Sequence, residues 1–254
     1  MSYAQIEGDN LSRLWFNLLV QVVTGNNVGF YNPSLYSRRL YGYTEGIRFD
    51  KGIFDQDFIR YSGYNFDHKL SSLRKTYFGA KVEKQFIILE NIVRDLQPRQ
   101  ARGLVSFSEP AFNKSDRLKC LDSLFIQKVT MTEYEALLIF RNTEIWPKLF
   151  MDFYFMYELL ARLSKQRVKC NMFSCFLTSC FINMHQAPLA AMMLTKYGIT
   201  SWNTQFITML HKWHEKYGDP DIVETLTYLS IKRVVQRTHE IMEEDNIDVP
   251  TLLG

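Results

Sequence analysis

Residues 120–163 read CLDSLFIQKVTMTEYEALLIFRNTEIWPKLFMDFYFMYELLARL. Ser123 to Val129 and Glu135 to Phe140 are short, β-rich apolar runs, which predicts two strands. Val129-Thr130-Met131-Thr132 is the turn region between them, and Arg141 closes the second strand. Phe150 to Leu163 is strongly apolar and free of Gly and Pro, the pattern of a buried central helix. Two strands feeding a buried helix predict an α+β fold, with helices packed on a mostly antiparallel or mixed sheet.

The flanks extend this plan. Upstream, Gly103 to Phe107 reads as a further strand, and Gln85 to Leu96 as an amphipathic helix stopped near Pro98. Leu11, Leu14, Trp15, Leu18, Leu19 and Val22 fall at helical spacing, with Asn10 as N-cap and Gly25 as stop. The Gly-, Asn- and Tyr-rich stretch that follows, to Asp50, reads as loop and short strands. Downstream, Asn171 to Met184 reads as a core strand, and Thr204 to Tyr217 and Asp221 to Glu244 as amphipathic helices. No repeat, low-complexity tract or linker interrupts the chain, so residues 1–254 read as a single domain.

Composition narrows the function classes. Lys and Arg number 30 against 27 Asp and Glu, and a net charge of +3 gives no basis for direct nucleic-acid binding. Cys120, Cys170, Cys175 and Cys180 form no CxxC pair, and no basic leader precedes them, which predicts reduced thiols in the cytoplasm. The apolar run Leu11 to Val23 contains Arg13 and Asn17 and is too short to span a membrane.

No phosphate-binding glycine loop, HExxH or GxSxG motif is present. The remaining chemistry centres on Cys120, in Leu118-Lys119-Cys120-Leu121-Asp122. Lys119 and Arg117 beside it favour the thiolate, the nucleophilic form; the alternative is a small core residue. Arg141 follows, then Asp152 inside the apolar run Phe150 to Phe155. A carboxylate there either faces a polar ligand or lies on an exposed helix face, because burying it unpaired is costly. Cys170, Cys175 and Cys180 are spaced poorly for a metal, and His211 and His214 read as a helix-surface pair beside Trp213. No metal is expected. Lys232, Arg233 and Arg237 read as a solvated helix face. Trp146 and the aromatic run after it read as core.

In order and spacing these residues resemble the thymidylate synthases and, more closely, the deoxycytidylate hydroxymethylases of the same superfamily. The matching elements are Cys120 before a strand, Arg141-Asn142-Thr143-Glu144, and then Asp152 on a helix. Upstream, Pro98-Arg99-Gln100-Ala101-Arg102 is similar to the family's arginine-bearing segment, Tyr77-Phe78-Gly79 to its Tyr-Gly turn, and Gly46-Ile47-Arg48-Phe49-Asp50 to its Arg-Phe-Asp strand. The likeness runs over about residues 41–185 and is strongest over 98–163.

The resemblance implies a mixed sheet packed with helices and a homodimer formed through that sheet. It implies a transferase in which Cys120 adds to C6 of a pyrimidine nucleoside monophosphate and C5 takes a one-carbon unit from 5,10-methylenetetrahydrofolate. Arg141 would bind phosphate and help hold the thiolate, and Arg102, with Arg99, would reach the phosphate in the neighbouring subunit. Asp152 would read the base edge in place of the family's Asn, Glu144 would replace an Asp, and Asn183 would contact the sugar. A carboxyl at position 152 favours cytosine over uracil, because it accepts from the N4 amino group and, when protonated, also donates to N3.

The departures are specific. Lys51 to Thr76, where the family carries a catalytic Glu and a folate-contacting Trp, has neither; its acids are Asp55, Asp57 and Asp67. Arg38 or Arg39 is the candidate N-terminal phosphate arginine. Phe181 and Asn183, or Cys180 and Ile182 in the adjacent register, occupy the family's His-x-Tyr positions, with His185 close by. A second reading is therefore a non-catalytic or divergent nucleotide-binding member of the same fold.

Overall fold

The computed structural model describes residues 5–8, 10–25, 38–43, 53–63, 66–98, 100–107 and 120–253. In chain order the elements are β1 (Gln5–Glu7), α1 (Leu11–Thr24), β2 (Arg38–Tyr43), α2 (Ile53–Ser62), α3 (Phe66–Tyr77), α4 (Ala80–Asp95), β3 (Arg102–Ser106), β4 (Leu121–Lys128), β5 (Glu133–Trp146), α5 (Lys148–Ser164), β6 (Lys169–Ile182), a single 3-10 turn (Met184–Gln186), α6 (Ala187–Lys196), α7 (Thr204–Tyr217), α8 (Ile222–Thr225), α9 (Leu229–Asp245) and α10 (Val249–Leu253). The chain is α+β. Its six strands form one sheet in the order β1-β2-β6-β5-β4-β3. The sheet is mixed: β1–β2 and β5–β6 are parallel, and the other pairs antiparallel.

Local sequence explains most of these elements. Asn10 caps α1, its Oδ1 accepting from the Arg13 N–H at 2.8 Å, and the chain leaves the helix at Gly25. In β5, Tyr134, Ala136, Leu138 and Phe140 alternate into the core. α5 buries Phe150, Phe153, Phe155 and Leu160 completely or nearly so, at about 1.5–3 kcal/mol per side chain. Trp146, fully buried, stacks on Trp15 at 5.8 Å between ring centroids, with Phe58 edge-on to both. It is core, as its apolar surroundings in the sequence suggest.

The structure moves several boundaries, α4 beginning at Ala80 rather than Gln85, and adds the helices α2, α3, α6 and α10. β5 does not close at Arg141; it runs on to Trp146, and from Thr143 onward its residues are buried. Pairing with β6 carries it past the polar Arg-Asn-Thr-Glu run, which locally resembles a strand end. α5 starts at Lys148, before the apolar run begins. Asp221 to Glu244 is two helices: α8 ends at Thr225, Leu226 takes an extended conformation (φ −74°, ψ 120°), and α9 begins at Leu229. Ala187–Lys196, which showed no helical alternation because Ala187 through Leu194 are buried on every side, is α6.

The helices lie on one face of the sheet. α4 rests so closely on β3 that a Cβ at Gly103 would come within 2.3 Å of Leu89 Cδ1. On the opposite face Leu104, Phe125 and Leu137 form one row by register across β3, β4 and β5, and Ile139 and Phe176 pair in the next. Leu104 is 61% exposed and the others are half-buried. Among the described residues no helix covers this apolar row.

Candidate active site

The helical face of the sheet carries the chemistry where β4 begins, β5 ends and α5 starts. Cys120 stands directly before β4, half-buried, and its carbonyl accepts the Arg141 N–H at 2.9 Å. That bond joins the start of β4 to the far part of β5 and so brings two sequence-distant candidates side by side. The Arg141 Nε lies 3.4 Å from Oδ1 of Asp122, two residues after the cysteine.

Asp152 is 4% exposed on α5. Burial drives its carboxyl up to about 7, against the pull of Lys148 on the same helix and Lys69 on α3. At neutral pH it therefore exists in both protonation states. Cys175, buried on β6, feels the same carboxylate, and burial with that charge pushes its thiol well up.

The Cys120 thiol is also raised. Burial is the largest cause, followed by Asp152; Lys148, then Arg141, act the other way, and Glu144 adds to the rise. Among the described side chains desolvation outweighs the cations Lys148 and Arg141. Arg117 and Lys119 lie outside the described residues. Tyr77, at the end of α3, is buried against the backbone of Cys120 and Leu121; burial, then Asp152 and Cys120, push its phenol up.

Glu144 is 2% exposed. Its Oε1 accepts from Asn183 Nδ2 at 2.6 Å, and Lys148 forms an ion pair with its Oε2. With the Gln186 amide nitrogen turned inward, Gln186 donates to Glu144 Oε1 at 2.6 Å and to the Trp146 carbonyl at 2.7 Å. Next to this network the half-buried His185 is held below its ordinary pKa, mainly by burial, with Glu144 opposing and Lys148 assisting. Its imidazole is neutral at physiological pH.

Cys120, Arg141, Glu144, Asp152 and Asn183 thus converge on one region. Arg102 does not join them within one chain. It opens β3 opposite Gln127, near the far end of β4 from Cys120, which at about 3.3 Å per residue is a separation on the order of 20 Å. Arg99, the Gly46 to Asp50 segment and Asp55's side chain lie outside the described residues, as do the side chains of Arg38 and Arg39. Asp57 is committed elsewhere, to Lys196 at 2.5 Å and the Tyr197 hydroxyl at 2.6 Å.

Lys148, Gln186 and a role for Tyr77 were missed in the sequence. Lys148 had a readable signal: it stands four residues after Glu144 and four before Asp152. Gln186 had none, since it reaches Glu144 only through the chain reversal after β6.

Glu144 is engaged by Asn183, Gln186 and Lys148, and Trp146 is closed into the core. No three His, Cys, Asp or Glu side chains among the described residues are grouped as metal ligands, and no described helix is long and apolar enough to cross a membrane. Compared with known proteins, the chain matches no family model and no curated sequence.

Proposed function

We propose that this protein is a pyrimidine nucleoside monophosphate C5 hydroxymethyltransferase or methylase that prefers a cytosine base. The observation that carries this reading is the pairing of a half-buried thiol, Cys120, with a buried carboxyl poised near neutrality, Asp152, in one electrostatically coupled site. The Cys120 thiolate would add to C6, and the C5–C6 electron pair would attack the methylene carbon of the donor. Loss of the C5 proton to water would expel the donor nitrogen with its electron pair and leave an exocyclic methylene; water would add there to give hydroxymethyl, or a hydride from the reduced folate to give methyl, as the C6–S bond breaks and the thiolate leaves. Asp152 grips the far edge of the base. The one-carbon donor expected from the resemblance is methylenetetrahydrofolate, and no residue described here is assigned to it.

A thymidylate synthase-like homodimer fits two further observations. The uncovered row Leu104, Phe125, Leu137 is an apolar sheet face of the kind a second copy covers. Arg102 is exposed on that same face and far from its own Cys120, and in such a dimer it would serve the partner's site.

The test is release of tritium from C5-labelled deoxycytidine monophosphate with methylenetetrahydrofolate. Release to water is expected from the native protein and not from Cys120→Ala. No release with any pyrimidine monophosphate rejects the activity. A non-catalytic nucleotide-binding role is the second reading, favoured by the raised Cys120 thiol and by the lack of a Glu or Trp in Lys51 to Thr76. It predicts calorimetric binding of cytidine monophosphate with no tritium release and no folate binding.

A further inference from the structure

A cavity of about 810 Å³ opens among α7, α8, α9 and α10, and none of the Cys120-site residues lines it. Its size is that of a small-molecule site. The floor is apolar, formed by Trp213, Met242 and Val249, all buried. The rim is acidic: Glu224, Glu240, Glu243 and Asp248 line it and are exposed, and no Lys or Arg lines it. Such a cleft concentrates cations. Lys232 and Arg237 reach Glu224 at 3.7 Å and Glu240 at 3.2 Å, whereas Glu243 and Asp248 make no ion pair among the described residues. His214 and His239 also line the cavity, and His239 Nε2 donates to the Tyr217 carbonyl at 2.7 Å. The indole of Trp213 belongs to the wall and is fully buried, yet its Nε1–H has no hydrogen-bond partner among the described residues. A buried donor is costly to leave unpaired, and an acceptor brought into the cavity would satisfy it.

We propose that this cavity binds a small amphipathic ammonium, with its apolar body on the floor, its charged head at the acidic rim and one acceptor on the Trp213 N–H. Each part of that ligand answers a separate observation. The apolar body covers Trp213, Met242 and Val249. The ammonium meets Glu243 and Asp248, the two carboxylates left without a cation. A hydroxyl or carbonyl oxygen accepts from the indole. The same chemistry excludes two other classes. A zwitterionic amino acid brings a carboxylate to an acidic rim, and a polyamine brings charge without a body for the floor. No three His, Asp or Glu side chains of the described residues are grouped to hold a metal ion, which favours an organic cation over a bare one. The site stands apart from Cys120 and from the transferase reading.

The probe is phenylalaninol, which carries an ammonium, a ring and a hydroxyl, titrated into the whole chain at neutral pH. Calorimetry gives the affinity, and the indole N–H resonances of the isotopically labelled protein report on Trp213, assigned with Trp213→Phe. Phenylalaninol should bind and move the Trp213 resonance downfield. Phenylpropanol, which lacks the charge, and phenylalanine, which adds a carboxylate, should bind at least about tenfold more weakly. Glu243 is exposed, so its variants leave the core intact: Glu243→Gln should weaken phenylalaninol about threefold and Glu243→Lys about tenfold. Cys120→Ala should bind as the native protein does. Equal binding of phenylpropanol would reduce the site to apolar burial, and equal binding of spermidine would reduce it to charge; either overturns the proposal. So does a Trp213 resonance unmoved at saturation, an unchanged affinity in Glu243→Lys, a loss of binding in Cys120→Ala, or no binding of phenylalaninol.

Discussion

Lys148 and Asp152 stand one helical turn apart on α5 and act on the Cys120 thiol in opposite senses, the ammonium lowering its pKa and the carboxylate raising it. Protonating Asp152 therefore removes an obstacle to forming the thiolate. Asp152 and Cys120 are electrostatically coupled before any ligand arrives.

Asp152 should make stability depend on pH. Its folded pKa of about 7 lies above the ordinary 3.8, so the native state keeps a proton that the unfolded chain has lost. That contribution is full below pH 4, declines as pH rises, and is gone above 7. Relative to Asp152→Asn, the native protein should lose about 2–3 kcal/mol between pH 5 and pH 8. Urea unfolding at the two pH values measures it, and a pH-independent difference would refute the raised carboxyl.

Nucleotide binding should take up a proton. A protonated Asp152 has one donor and one acceptor and meets N3 and N4 of cytosine together, whereas the carboxylate meets one and repels the other. Cytidine monophosphate should bind more tightly as pH falls through 7, with proton uptake seen by calorimetry in buffers of different ionisation enthalpy. Asp152→Asn controls for titration of the phosphate: it should abolish the Asp152 share of the uptake and shift preference toward uridine monophosphate by about 1–3 kcal/mol. Equal uptake in both proteins would remove Asp152 from the base edge.

The open sheet face should mediate self-association. Phe125→Asp places a charge in the row formed with Leu104 and Leu137. Sedimentation velocity should show a dimer for the native protein and a monomer for the variant. A native monomer at micromolar concentration would leave Arg102 without a site to serve.

Arg162 should be a structural clamp between α5 and α4. Its guanidinium bonds Glu83 at 2.9 Å and Glu90 at 2.8 Å and lies over the rings of Phe78 and Phe86. Arg162→Ala should cost about 2 kcal/mol, through lost ring packing as well as lost charge pairs, and lower the melting temperature without changing the Cys120 alkylation profile. An unchanged melting temperature would show the network to be dispensable.

How far the chain was readable follows from the range of each interaction. The cap at Asn10, the buried run of α5 and the alternation in β4 and β5 are local patterns, written within a few residues. The order Cys120, Arg141, Asp152 was visible because the strands and helix that carry them are consecutive. β5 beyond Arg141 was not, since the polar Asn142, Thr143 and Glu144 interrupt the apolar pattern and are held as strand by pairing with β6.

The amino-acid order alone was enough for an α+β chain and for naming Cys120 and Asp152 as candidates, because periodicity and residue type are short-range properties. Folding settled which charges face which. It joined Cys120 to Arg141 through one backbone bond, set Lys148 over a carboxylate anchored from beyond β6, and moved Arg102 to the other end of its neighbouring strand. It also raised the Cys120 thiol by desolvation, which depends on everything packed around a group and which no neighbour in sequence reports.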